Sequence, residues 1–169
     1  MTHFLGTHQN RLDAKGRVSI PAAFRTVLRG GRANEEESQP LAMVLRRSHL
    51  HPCIEGWPEK EFDALATPLG ALDMFSEAQD DLSFMLFGDA ARLETDREGR
   101  VVLPEAMTAF AGISDRVTFV GTGRIFQIWE PGAAEQRLAE ARERARLRGL
   151  TLPGVVQNAA PRANGTPGA

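Results

Sequence analysis

The chain has 169 residues, 42% of them hydrophobic, and its 20 basic and 22 acidic side chains give a formal net charge of −2. That is enough chain for one compact domain or two small intertwined halves. No apolar run nears the ~20 residues that span a bilayer, and the Met1–Gly6 segment turns polar too soon for a signal-peptide core. Cys53, the only cysteine, excludes an intrachain disulfide, so a cytoplasmic protein is expected.

In chain order, Thr2–Leu12 predicts a strand with His8, Asn10 and Leu12 on one face. Asp13-Ala14-Lys15-Gly16-Arg17 follows as a tight loop. Asp13 can accept backbone N–H bonds from residues just ahead, and Gly16 suits positive φ. Val18 and Ile20 then alternate with Arg17 and Ser19 in a strand ended by Pro21, and Ala22–Leu28 reads as a short helix. Gly30–Pro40 is a polar loop. The apolar run Leu41–Leu45 and the segment Cys53–Trp57 form a hairpin around Arg46–Pro52. Pro58–Phe62 opens a helix with acidic residues in its first turn. Phe62, Leu65, Leu69 and Leu72 keep helical spacing, with a break or kink at Pro68 and Gly70. Ser76-Glu77 opens another helix. Its stripe of Leu82, Met85 and Leu86 joins Phe75 as core or subunit contact, and Gly88 is expected to cap it.

Leu93-Glu94-Thr95-Asp96-Arg97-Glu98-Gly99-Arg100-Val101-Val102-Leu103-Pro104 then restates the first loop and strand. Asp13, Gly16, Arg17, Val18, Ile20 and Pro21 match Asp96, Gly99, Arg100, Val101, Leu103 and Pro104 at a single offset of 83 positions. Val102 breaks the alternation in the second copy. Glu105–Ala111 is the second short helix, and Arg116–Val120 and Arg124–Trp129 form a hairpin across Gly121-Thr122-Gly123. Phe126-Gln127-Ile128-Trp129 parallels Ile54-Glu55-Gly56-Trp57 at an offset of 72. Ala133–Arg148 is the last helix, and the segment from Thr151 lacks apolar periodicity and is expected to be disordered. The fold class is α+β, mainly β, built from two internal repeats. The halves span 1–60 and 90–132, joined by helices in 61–89 and followed by a C-terminal helix (133–150) and a tail (151–169).

Over residues 1–148 the sequence resembles MraZ, the bacterial transcriptional regulators built from two AbrB-like half-domains. The resemblance rests on Asn10–Pro21, on Asp96, Gly99, Arg100 and Pro104, on Phe126–Glu130, and on the leucine- and phenylalanine-rich helix ending at Gly88. It implies a pseudo-two-fold swapped-hairpin β-barrel (AbrB-like) with flanking helices and self-association into a ring-shaped homo-oligomer. It also implies double-stranded DNA as a partner, as repeated boxes in the promoter of the protein's own cell-division and cell-wall operon, and hence nucleoid association. The family's Asp-x-x-x-Arg signature carries over to Asp13 with Arg17 and to Asp96 with Arg100. The chain departs from the family in a longer Asn34–Pro40 segment, in the Thr151–Ala169 tail, and at Gly56, where a larger apolar residue is usual.

The residues supply an electrostatic case of their own. Arg11, Lys15 and Arg17 lie on one loop-strand edge and can meet successive phosphates, each neutralised phosphate adding about −0.9 to the log–log salt slope. Arginine can also fork onto the O6 and N7 of guanine. Arg17 has a competing role, pairing with Asp13 to hold the loop. The second loop offers Arg97 and Arg100, but Arg92, Arg97 and Arg100 face Glu94, Asp96 and Glu98, so the first copy is expected to dominate. Residues 1–29 carry five cations against Asp13 alone, whereas residues 55–98 carry 12 acidic and 3 basic side chains. That imbalance reads either as opposed surfaces or as scattered solvated charge. The expected DNA contacts are thus Arg11, Lys15, Arg17, Arg97 and Arg100, with Asp13, Gly16, Asp96 and Gly99 shaping the loops.

No catalytic residue, cofactor or metal site is expected. His49, His51 and Cys53 would share one strand face, but no second cluster completes a ligand set. Cys53 has no nucleophile motif around it, and no Gly-Lys-Ser/Thr follows Gly121-Thr122-Gly123. Two alternatives stand beside the regulator. One is an AbrB-type antitoxin binding DNA and, through Ala133–Arg148, a toxin partner, although two motif copies per chain argue against it. The other is a purely structural assembly protein.

Overall fold

The computed structural model describes residues 2–31 and 39–153; the expectations for Asn34–Ser38 and for the tail past Pro153 lie outside the described residues. Among these residues the strands are β1 (Thr7–Arg11), β2 (Arg17–Ser19), β3 (Ala42–Arg47), β4 (Ile54–Trp57), β5 (Ala91–Glu94), β6 (Arg100–Val102), β7 (Arg116–Gly121) and β8 (Phe126–Trp129). The helices are α1 (Ala22–Leu28), α2 (Glu59–Asp63), α3 (Ala66–Gly70), α4 (Glu77–Ser83), α5 (Glu105–Phe110) and α6 (Pro131–Arg148), and a π-helical turn, Phe84–Gly88, continues α4. The chain divides into two compact units, Met1–Ala134 and Glu135–Ala169. No described helix is long and apolar enough to cross a membrane.

The strands form a six-stranded antiparallel sheet in the order β1-β7-β8-β4-β3-β5 and a two-stranded ribbon, β2-β6. The repeat explains this order. Exchanging the two copies turns β1 into β5, β3 into β7 and β4 into β8, and the six-strand order reads the same in reverse. The first strand of each copy pairs with the hairpin of the other, β1 with β7 and β5 with β3. Val18 faces its own repeat mate Val101 across the ribbon, and Glu55 faces its mate Gln127 across β4-β8. The described strands do not close into a single cylinder, because β1 and β5 end the sheet's order and the ribbon stands as a second layer.

Alternation places the core between these layers. Val18 and Val101 are 1% and 2% exposed. They pack with Ile20 and Leu103, with Phe24 and Met107 from α1 and α5, and with the inward sheet residues Met43, Leu45, Ile54, Val117, Phe119, Phe126 and Ile128. Phe4 joins Phe24 and Phe126 at ring-centroid distances of 5.3 and 5.1 Å, pairs worth about 0.5–1.5 kcal/mol beyond their area. Gly56 lies directly opposite Phe126 on β8, and a Cβ on Gly56 would overlap the Phe126 ring. The ring occupies the room that a larger side chain at this position would need.

On the other face of the sheet Arg46 and Glu55 are buried together. Arg46 Nη2 donates to Glu55 Oε1 at 3.1 Å, and its guanidinium lies 5.9 Å from the Trp57 ring centroid. Burial raises the Glu55 carboxyl above its ordinary range, and Arg46 opposes that shift. The repeat mates of this pair are Val120 and Gln127, so the second copy carries no charge here.

Helix ends follow their sequence signals in most places. The Ser76 hydroxyl accepts from Gln79 N at 3.2 Å and starts α4. Pro68 and Gly70 fall inside the short α3, and the helical spacing from Phe62 is broken into α2 and α3. Gly88 is not the helix cap expected of it. It ends the π turn, and the capping position is Asp89 with φ −95°, whose carboxylate is engaged by Arg47 N and Nε at 2.9 Å.

Candidate nucleic-acid interface

The two Asp-x-x-Gly-Arg loops are built alike. Asp13 Oδ1 accepts from the backbone N–H of Lys15 and of Arg17, both at 2.9 Å, and Oδ2 accepts from Arg17 Nε at 2.7 Å. Asp96 Oδ1 accepts from Glu98 N at 3.0 Å and Arg100 N at 2.9 Å, and Oδ2 from Arg100 Nε at 2.9 Å. Gly16 and Gly99 hold φ of 78° and 77°, where other residues are strained. The backbone bond from Arg17 holds the Asp13 carboxyl below its ordinary 3.8, with the guanidinium next in weight. The Arg100 backbone does the same for Asp96. Both arginines therefore brace their loops through Nε.

The ribbon ties the loops together. Ile20 N donates to Gly99 O at 3.0 Å and Leu103 N to Gly16 O at 2.9 Å, so each loop bonds to the strand that follows the other. The loops sit at opposite ends of β2-β6, about four residues or 13 Å apart. With Val18 and Val101 turned inward, the outward face presents Arg17 and Ser19 beside Arg100 and Val102, and Val102 is 54% exposed. Its break in the alternation is a solvent-facing apolar side chain.

Charge separates the copies. Lys15 stands where the second copy has Glu98, and Glu98 lies 3.5 Å from Arg100 Nη2. Arg17 has no such second carboxylate among the described residues. Arg11, Lys15 and Arg97 are exposed and make no ion pair with any described residue. Arg25 of α1 lies across Gly99, its Cζ 3.0 Å from where a Cβ would stand. The sequence expectations omitted this cation from the first half beside the second loop; the repeat alignment, which sets Arg25 against Thr108, carried that signal.

The histidine segment behaves otherwise. His49 Nδ1 lies 3.2 Å from Arg46 Nη2, His51 packs 5.9 Å from the Trp129 ring, and Cys53 is buried. Among the described residues no three His, Cys, Asp or Glu side chains gather as a metal site.

Comparison with known proteins agrees with the repeat. The profile of the MraZ protein family, described as antitoxin-like, matches residues 3–84 and 86–148. The chain is 54% identical over 160 residues to the transcriptional regulator MraZ of Gluconacetobacter diazotrophicus, covering 95% of this chain and 99% of that one. It is 54% identical over 146 residues to the Gluconobacter oxydans protein of the same name, covering 86% and 87%. The Azorhizobium caulinodans protein of that name is 42% identical over 154 residues, covering 86% and 88%.

Proposed function

The chain belongs to the MraZ family, and from that premise we propose that it regulates transcription by gripping double-stranded DNA with its paired Asp-x-x-x-Arg loops. Its targets are repeated boxes in the promoter of its own cell-division and cell-wall operon. The observation that carries this reading is the pair of identically braced loops at the two ends of one exposed ribbon. A major groove about 12 Å wide admits a two-stranded ribbon, and Lys15 and Arg11, exposed and without an ion pair among the described residues, can meet the flanking phosphates. Arg100 contributes less, because Asp96 and Glu98 both lie beside it, and Arg97 contributes less, because Asp96 and Glu98 flank it in the chain. The sheet and ribbon are the two sides of an interlocked swapped-hairpin barrel, a reading supported by the reversible strand order.

The protein acts as a ring-shaped homo-oligomer, in which later loops engage DNA intramolecularly. Met74, Phe75 and Phe84 are 74%, 93% and 79% exposed, a patch of the kind that marks a protein contact. Phe75 also holds a φ of 66°, a strained state that neighbouring structure must impose. A monomer by light scattering that still bound tandem boxes tightly would refute the ring.

A second reading, an AbrB-type antitoxin with a toxin bound to α6, draws on the family's antitoxin-like description. Against it, the strands of both copies pair within one chain, so no partner chain is needed to complete the sheet. A gel shift tests the function with DNA from upstream of the chain's own reading frame and heparin as competitor. The regulator reading expects a shift that survives heparin, and a shift lost as readily as that of scrambled DNA overturns it.

A further inference from the structure

Arg11 and Arg116 are register partners across β1 and β7. Partners in an antiparallel pair project from the same side of the sheet, and like charges placed directly opposite are destabilising. Both are exposed, and neither forms an ion pair with a described residue. The fold thus carries a cation pair with no ion-pair partner among the described residues, one residue from the first loop.

The pair does not stand alone. Asp13 N donates to Arg17 O at 3.0 Å, which sets residue 13 opposite residue 17 in the β1-β2 hairpin. Further back, Asn10 Nδ2 donates to Ser19 O at 2.6 Å and ties β1 to the ribbon. Ser19 is the register partner of Arg100 on β6. Arg116 and Arg11 are thus partners on β7 and β1, and Ser19 and Arg100 are partners on β2 and β6. Exchanging the two copies gives the mate pairs Ala42 with Glu94 and Val102 with Arg17. The first two pairs hold three cations, and their mates hold one cation and one anion.

We propose that Arg116 and Arg11 together clamp a phosphate of the DNA backbone. Two guanidiniums present many N–H donors and no acceptor, and a phosphodiester is the anion that resolves their repulsion while taking forked hydrogen bonds. The second half contributes Arg116 to a contact otherwise built from the first, so the sequence order of the copies does not divide their work. This inference rests on the DNA reading above.

The test pairs stability with affinity. Arg116→Met and Arg11→Met are made separately in the full chain. Each is measured by thermal unfolding and by fluorescence anisotropy at several salt concentrations, with a duplex from upstream of the chain's own reading frame and a scrambled duplex. Each variant is expected to keep or raise its melting temperature, because a repulsion is relieved. Each should also bind about tenfold more weakly and lose about 0.9 of log–log salt slope. Ala42→Ser, at the mate position of Arg116, should leave affinity within twofold of the parent. If the parent protein binds and Arg116→Met keeps its affinity and salt slope, the clamp is overturned while the DNA reading stands. If Arg116→Met loses affinity only as its melting temperature falls, the residue is structural and the clamp is again overturned. A parent protein that binds neither duplex overturns both.

Discussion

Replacing Gly56 with isoleucine would drive a branched side chain into the ring of Phe126. A Cβ at Gly56 would stand 2.5 Å from the ring's Cε1 and closer to Cζ, against the 3.5–4.0 Å of comfortable carbon contact. The ring would have to retreat by at least about 1 Å. It has no room to do so, because Phe126 is fully buried among Phe4, Phe24 and Phe119. The cost should be about 3 kcal/mol, the upper part of the overpacking range. Phe126→Ile alone leaves a partial cavity costing about 2 kcal/mol, below the 3–5 of Phe→Ala. The pseudo-two-fold exchange carries the Gly56–Phe126 pair onto the Ile128–Ile54 pair, which is also in register. One pair divides the same space as large and none, the other as two medium side chains. Gly56→Ile with Phe126→Ile therefore rebuilds an arrangement the fold already holds. It should lose only about 2 kcal/mol in total, a coupling of about 3 kcal/mol. Urea unfolding at unchanged m-value measures all three variants. Additivity within about 0.5 kcal/mol would show that the two side chains do not compete for one space.

Other outcomes follow from the same geometry. Arg46→Val alone leaves the buried Glu55 carboxylate without its partner and should destabilise by about 3–5 kcal/mol; adding Glu55→Gln reproduces the Val120 and Gln127 of the second copy and should recover most of that loss in urea. Asp13 and Asp96 have depressed carboxyl pKa values. Their contribution is therefore present above the unfolded carboxylate pKa near 3.9 and is lost as pH falls through the folded value. Asp13→Asn with Asp96→Asn should flatten the acid limb of melting temperature against pH below about pH 4, and a limb parallel to the parent's would contradict the bracing role. Ser76→Ala removes the α4 cap and should cost about 1 kcal/mol by thermal unfolding.

Much of the fold is legible in the chain because the repeat is local. Asp, Gly, Arg, the alternating valines and Pro each act within a few residues, so loop, strand and helix start can be read without the tertiary structure. The pairing of β1 with β7 and of β5 with β3 is not local, and nothing within either copy specifies it. The Arg11–Arg116 pair was invisible for the same reason, since its members are 105 positions apart and meet only through register. The role of Gly56 depends on which ring faces it. The end of the α4 segment departs from expectation: the π turn runs through Gly88 and Asp89 takes the capping position, where Arg47, far away in sequence, engages its carboxylate. The loop cations Arg11, Lys15, Arg17, Arg97 and Arg100 could be picked out as candidates, and their inequality could be expected from the acidic neighbours of the second loop; the folded chain adds that Glu98 lies beside Arg100.

The central claim, that the braced loops bind DNA and that the first leads, is tested most directly by salt-dependent anisotropy titration. The probe is the duplex from upstream of the chain's own reading frame, titrated with the parent protein, Lys15→Ala and Arg97→Ala. Lys15→Ala should lower affinity and reduce the log–log salt slope by about 0.9, with Arg97→Ala clearly less affected. Equal weakening by the two substitutions, or a parent protein that prefers this duplex no more than a scrambled one, would contradict the account.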